Sequence, residues 1–427
     1  MRHPAIPTLL PRRAALFASV KKFVAIVTAC AMLAGCASSG GAGFTPPTGP
    51  VGPQMPQAAK GEGSPSQSRS KPAVPLDVAI PTFDPGLKGP DGTIDYERVQ
   101  DEGIWPQLRR AEANRFAVKM KRALEETGAF GAVRVVTNTD MAADLYVMGH
   151  IEESDAEDIQ IHVSVVDIAN RKLGSSSFDH RVNEGFFRDL TNAGQDPYDP
   201  AFRDAAEYVA SLVRQQGADR LRDLQDIAAM RFASTFAPEQ FSDYLEERRG
   251  ELRLVGLPAE DDPMMERIEA LRVQEQLFID RLQGQYDTFY DRMNGPYTEW
   301  QREALPIAVE ARKARRNRNI AIGLSVLTAV VGGFASIQGN SAAGVLATGL
   351  ATGYLAKRAL DKSAESRAAR DELDEIGRSL DIDMSPQVIE LEDRTVKLEG
   401  TADEQYRQWR AALEDVYELE KTPDKQL

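Results

Sequence analysis

The chain is predicted to be an α+β protein: an N-terminal sandwich of mostly antiparallel sheet with helices, then a long helical region carrying a glycine-rich helical hairpin, then a small C-terminal β-hairpin plus helix. Three patterns carry this expectation. Residues 76–182 alternate apolar and polar side chains in short runs around one helical stripe. Residues 217–319 are charged, helix-favouring and punctuated by prolines. Residues 320–356 hold the longest uncharged stretch that follows the N-terminal region.

Taken in order, residues 1–35 read as an export signal. Arg2, Arg12, Arg13, Lys21 and Lys22 precede an apolar run at 23–33 that is too short to span a bilayer. The run ends in Leu33-Ala34-Gly35-Cys36, which resembles the lipobox of bacterial lipoproteins. That resemblance implies removal of residues 1–35 and a diacylglycerol joined to the Cys36 sulfur, with no other cofactor. Ala37 stands where an Asp would imply inner-membrane retention, so the expected location is the outer membrane, facing the periplasm. Cys30 lies in the removed signal, so the mature chain keeps no thiol for a disulfide, metal or nucleophile.

Residues 36–74 are rich in Gly, Pro, Ala, Ser and Gln and lack the apolar surface needed to offset ordering entropy. They read as a flexible tether with a reach of roughly 35 Å.

Residues 75–216 read as the periplasmic α+β domain. Leu76, Val78 and Ile80 predict a first strand. Ala113, Phe116, Ala117, Met120 and Leu124 form one helical stripe, with Gly128 as its C-terminal cap. Val133, Val135 and Val136 predict a second strand; Leu145, Val147 and Ile151 a third; Ile159, Ile161, Val163 and Val165 a fourth. A turn at Asn170-Arg171 leads to a fifth strand with Phe178 and Val182, and a helix follows through Phe202, Ala206, Val209 and Val213. The run ADLYVMGHIEES…IQIHVSVVDIANRKLGSSSF resembles the core of the curli-secretion-channel lipoproteins and of the lipoprotein activators of penicillin-binding proteins. The resemblance implies a periplasmic, lipid-anchored, often oligomeric protein that acts by binding partners. The long membrane-crossing strand pairs of a secretion channel have no counterpart in the sequence.

Within 217–319, Pro238, Pro258, Pro263, Pro296 and Pro306 are expected to divide the chain into separate helices. Tyr286, Phe289, Tyr290, Tyr297 and Trp300 cluster before a basic flank; they fit bundle core better than an interfacial belt. In the hairpin, Ala321, Ser325, Ala329 and Gly333 recur every fourth residue, as do Ala343, Ala347 and Ala351, beside Gly349 and Gly353. Small residues at that spacing let helix backbones approach closely, and the pair resembles the glycine-zipper hairpins of envelope lipoproteins. Each segment is roughly 25 Å long, close to a hydrocarbon core of about 30 Å. Membrane insertion or membrane-associated oligomerisation is expected of this pair, with burial against protein as the alternative. Residues 357–384 resume as a charged helix. Residues 385–427 read as a hairpin of Ile389, Leu391, Val396 and Leu398, followed by a helix opened by a Thr401/Glu404 capping box.

The net charge of −14 argues against nucleic acid as a partner. His150 and His162 are expected on the outer sheet face with His180 turned away, which leaves zinc short of a third ligand. The acidic loop 152–158 lacks calcium-loop spacing. No nucleophile elbow, phosphate loop or metalloprotease motif occurs, so no catalytic or metal residue is assigned and an enzyme is not expected. The expectation is a non-enzymatic, lipid-anchored, homo-oligomeric structural or scaffolding subunit of a cell-envelope assembly, touching the membrane through Cys36 and the hairpin. The alternative is a regulator that binds and activates an envelope protein through its α+β domain.

Overall fold

The computed structural model describes residues 74–331, 364–391 and 394–421. Its central sheet has five strands: β1 (Val78–Pro81), β2 (Val133–Val136), β3 (Leu145–Ser154), β4 (Asp158–Asp167) and β5 (Lys172–Arg181), in the order β2-β1-β3-β4-β5. The expected antiparallel pairing is the β3-β4-β5 meander, while β1 lies parallel to both β2 and β3. The chain imposes this. It leaves β1 through α1 (Tyr96–Glu102) and α2 (Pro106–Thr127) before re-entering as β2, and such a crossover returns a strand in the same direction. With a neighbour on each side, β1 is buried at all four positions rather than alternately.

The predicted stripe of α2 (Ala113, Phe116, Ala117, Met120, Leu124) is fully buried, and the helix ends at Gly128 in the left-handed conformation. Phe116 meets Tyr198 and Phe202 edge-on, at 6.2 and 5.1 Å between ring centres, which joins α2 to α3 (Asp199–Arg214). Gly149 on β3 has no alternative: a Cβ there would lie 2.2 Å from the buried ring of Phe83. The missing side chain lets residues after β1 continue beside β3, where Asp84 N–H donates to the Gly149 carbonyl and Ile151 N–H to the Asp84 carbonyl.

After α4 (Ala218–Phe236) and the short α5 (Pro238–Phe241), the region expected to be helical contains a hairpin, β6 (Leu245–Arg248) and β7 (Glu251–Leu254). Its residues LEERRGELRL favour helix, but Arg249 and Gly250 both take positive φ and turn the chain. Leu252 N–H then donates to the Ala169 carbonyl in the β4-β5 turn.

The largest departure from expectation is α6 (Pro263–Val331), one helix of 69 residues and roughly 100 Å long. Asp262 accepts from the N–H groups of Met264 and Met265 to cap it. Neither Pro296 nor Pro306 breaks it, although an interior proline costs about 3 kcal/mol. Packing offsets that cost, because Tyr297, Trp300, Ala304, Leu305, Ala308 and Val309 are buried. Arg292 and Arg302, whose carbonyls lose a partner, are exposed, within reach of water. α6 also runs on past residue 320, the start of the glycine-rich stretch, to Val331.

The chain then resumes as α7 (Ala364–Ile376), the hairpin β8 (Gln387–Leu391) and β9 (Arg394–Leu398), and α8 (Ala402–Lys421). The Thr401/Glu404 capping box forms in both directions. Trp409 of α8 stacks on Phe278 of α6 at 5.3 Å.

Candidate functional site

The described part of the chain is built around α2, which receives both helices flanking residues 332–363. On the incoming side, Glu112 is fully buried and its Oε1 accepts from the Ser154 hydroxyl (2.6 Å) and from the Tyr297 hydroxyl of α6 (2.7 Å). Burial raises the Glu112 carboxyl above its ordinary range, against the opposing pull of Arg109. One turn further on, the buried Arg115 donates to Asp196 (2.7 Å) and to Asn294 of α6 (3.0 Å). Its guanidinium sits 4.4 Å from the ring centre of Tyr290 and 4.5 Å from that of Tyr297. Lys119 also pairs with Asp196 at 2.8 Å. Burial would raise the Asp196 carboxyl, but the two cations outweigh it and hold it down to about 2. Nearer the end of α6, Arg312 grips the buried Glu157 with two nitrogens, at 2.8 and 2.7 Å.

On the outgoing side, the Trp105 indole donates to Asp374 of α7 (2.7 Å), Arg110 to the Gly377 carbonyl (2.8 Å) and Asn114 to the Leu380 carbonyl (2.7 Å). At Gly377 a Cβ would lie 1.8 Å from the Gln107 carbonyl oxygen, so the end of α7 touches α2 backbone to backbone. Arg292 of α6 reaches Glu372 and Glu375 of α7, at 3.0 and 3.5 Å. The legs entering and leaving the glycine-rich stretch therefore share one base.

The sequence-assigned residues fall differently. Ala321, Ser325 and Ala329 lie on the helical backbone of α6. Leu33, Ala34, Gly35, Cys36, Gly333, Ala343, Ala347, Gly349, Ala351 and Gly353 lie outside the described residues. No helix among the described residues is long and apolar enough to cross a membrane. Of the aromatic cluster, Tyr286, Tyr297 and Trp300 are buried, while Phe289 and Tyr290 are half-buried against the same core.

His150 and His162 face each other across β3 and β4, while His180 pairs with the core-facing Ile159. His150 instead meets Asp84 (3.3 Å) and His162 the Ser177 hydroxyl (3.0 Å). Glu153, Asp155 and Asp158 approach within 4.8 Å of one another. Asp155 is occupied by the N–H groups of Glu157 and Asp158, and Arg181 forks onto Asp158. These acids hold the β3-β4 turn. A cleft of about 1030 Å³ lies between the 186–195 loop, α6 and α7, with Phe187, Leu190, Tyr290, Asn294 and Glu372 among its walls.

The α2 base is not legible in the sequence, because its polar members are scattered from Trp105 to Leu380 and show no spacing. The one local signal was the polar residues on α2 (Arg109, Glu112, Arg115, Lys119), which recur every three or four residues as a second stripe beside the apolar one.

No known protein family, curated protein or solved structure matches this chain.

Proposed function

We propose that this protein is a non-enzymatic, lipid-anchored structural subunit of a cell-envelope assembly. Cys36 ties it to the outer membrane on the periplasmic side, and its glycine-rich stretch is the element through which copies associate. The observation that supports this reading is the shared base of α6 and α7 on α2. The two helices that lead into and out of that stretch both dock on one buried polar seat of the α+β domain.

Sizing of the detergent-extracted, lipidated protein tests it. The expected result is an oligomer that falls to a monomer when Gly349→Leu and Gly353→Leu are combined, because bulk there prevents close helix approach. A monomeric wild-type protein overturns the scaffold reading. The second reading, a regulator that binds an envelope partner through the α+β domain, draws support from the cleft beside Leu190, which is 89% exposed. It predicts that a photocrosslinker at Leu190 captures one defined partner in intact cells.

A further inference from the structure

A second cavity lies on the side of the sheet away from the α2 seat, between Tyr146 of β3, Arg231 and Phe232 of α4, and Tyr406, Arg407 and Arg410 of α8. We propose that it binds a small organic oxyanion, a carboxylate or phosphate monoester carrying a compact apolar body. The inference stands apart from the assembly role.

Charge is the first argument. The chain carries a net −14, yet three guanidinium groups converge here and Asp140 is the one acid in the wall. Their partners differ. Arg410 is held in place by the buried Glu275 (2.9 Å), by the Thr235 hydroxyl (2.8 Å) and by the faces of Phe232 and Phe236. Arg407 pairs with Asp403 at 3.0 Å, but that carboxylate also accepts from Thr137 and Asn138. Arg231 donates one nitrogen to two neutral acceptors, the Ile168 carbonyl (2.8 Å) and the Asn170 side chain (3.0 Å). Among the described residues it has no carboxylate partner, so its remaining fork is available to an incoming anion. A planar guanidinium fork matches carboxylate and phosphate oxygens in geometry as well as charge.

Shape is the second argument. The cavity measures about 370 Å³, within the roughly 300–1,000 Å³ range of small-molecule sites. Tyr146, Ile168, Phe232, Tyr406 and Ala142 give the wall an apolar and aromatic part, beside the hydroxyl groups of Thr139 and Thr235. Tyr146 and Tyr406 already direct their hydroxyls elsewhere, to the Met141 carbonyl and to Glu275. They therefore offer rings rather than polar groups. An oxyanion head between Arg231 and Arg407, with a flat body against Phe232, uses both features.

Calorimetric titration of the full mature chain with benzoate, phenyl phosphate and inorganic phosphate tests the site. One saturable site is expected for benzoate or phenyl phosphate, with inorganic phosphate weaker for lack of the apolar body. Arg231→Gln and Arg407→Gln should each weaken binding by roughly tenfold or more, the loss of one charge-assisted contact, whereas Arg214→Gln at the end of α3, paired with Glu207, should change nothing. Should Arg231→Gln fail to fold, the exposed Arg407→Gln carries the test alone. The proposal is overturned if neither organic probe saturates, or if binding survives both substitutions unchanged.

Discussion

The side-chain amide of Gln283, on α6, pairs with the backbone of Val135 in β2 as a neighbouring strand would: its Oε1 accepts from the Val135 N–H and its Nε2 donates to the Val135 carbonyl, both at 2.9 Å. β2 is an edge of the sheet, and edge strands invite pairing with other chains. One glutamine both closes that edge and fixes α6 against it, assisted by Asp280, which accepts from Arg134 at 2.6 Å. Gln283→Ala leaves the backbone of a buried residue without partners. The expected loss is about 1–3 kcal/mol in denaturant unfolding, with faster hydrogen exchange at the Val135 amide. An unchanged exchange rate there would refute the edge-closing role.

Asp196 gives the fold an acid-sensitive seat. Its carboxyl is held below its ordinary value of 3.8, at about 2, because Lys119 and Arg115 outweigh the effect of burial. A depressed folded-state value stabilises above the unfolded one and is lost as pH falls through the folded one. The contribution, about 2 kcal/mol, is therefore present at neutral pH and disappears between about pH 4 and pH 2. Asp196→Asn should lower stability at pH 7 by at least that amount, and the difference from wild type should close in unfolding curves taken towards pH 2.

Asp144 acts with the opposite sign. It is 3% exposed, and burial pushes its carboxyl from 3.8 up to about 6, although the Asp77 N–H at 2.8 Å pulls the other way. A raised value means the folded state prefers the proton, so this stabilisation is complete below about pH 4 and lost as pH rises through about 6. Asn at this position keeps the acceptor for Asp77 without the buried charge. Asp144→Asn should raise stability by up to about 3 kcal/mol above pH 6 and leave it near wild type below pH 4. Equal stability of the two proteins at pH 8 would contradict this account.

Gly377→Ala tests the outgoing leg. The added methyl cannot coexist with the Gln107 carbonyl, so α7 must shift from α2 and loosen the contacts of Arg110 and Asn114 with the residues that follow it. Hydrogen exchange should rise selectively across 364–380, with α2 and the sheet little changed. A variant whose α7 stays as protected as wild type would show that the close backbone approach is not what holds this leg.

Much of the domain was legible in advance because its signals are local. The stripe from Ala113 to Leu124, the alternation from Ile159 to Val165 and the Thr401/Glu404 capping box each lie within a few turns or strand steps, and each element forms where its pattern stands. The hairpin of β6 and β7 was not legible, since its glutamates, leucines and arginines favour helix and its attachment to Ala169 is a tertiary contact. The candidate anion cavity was hidden for a similar reason: Tyr146, Arg231 and Arg407 share no spacing and meet only when α4 and α8 pack beside the sheet.

By itself, then, the sequence determined the kinds of element and their order, because amphipathic period, capping residues and turn chemistry act over a few residues. The tertiary structure alone decided that Pro296 and Pro306 sit inside one helix, since burial of Tyr297, Trp300 and Leu305 outweighs the local cost of each proline. It also decided that β1 runs parallel between two neighbours, and that Glu112, Arg115 and Trp105 bring both legs of the glycine-rich stretch to one base. Those outcomes depend on partners dozens to hundreds of residues apart, which no local window of sequence contains.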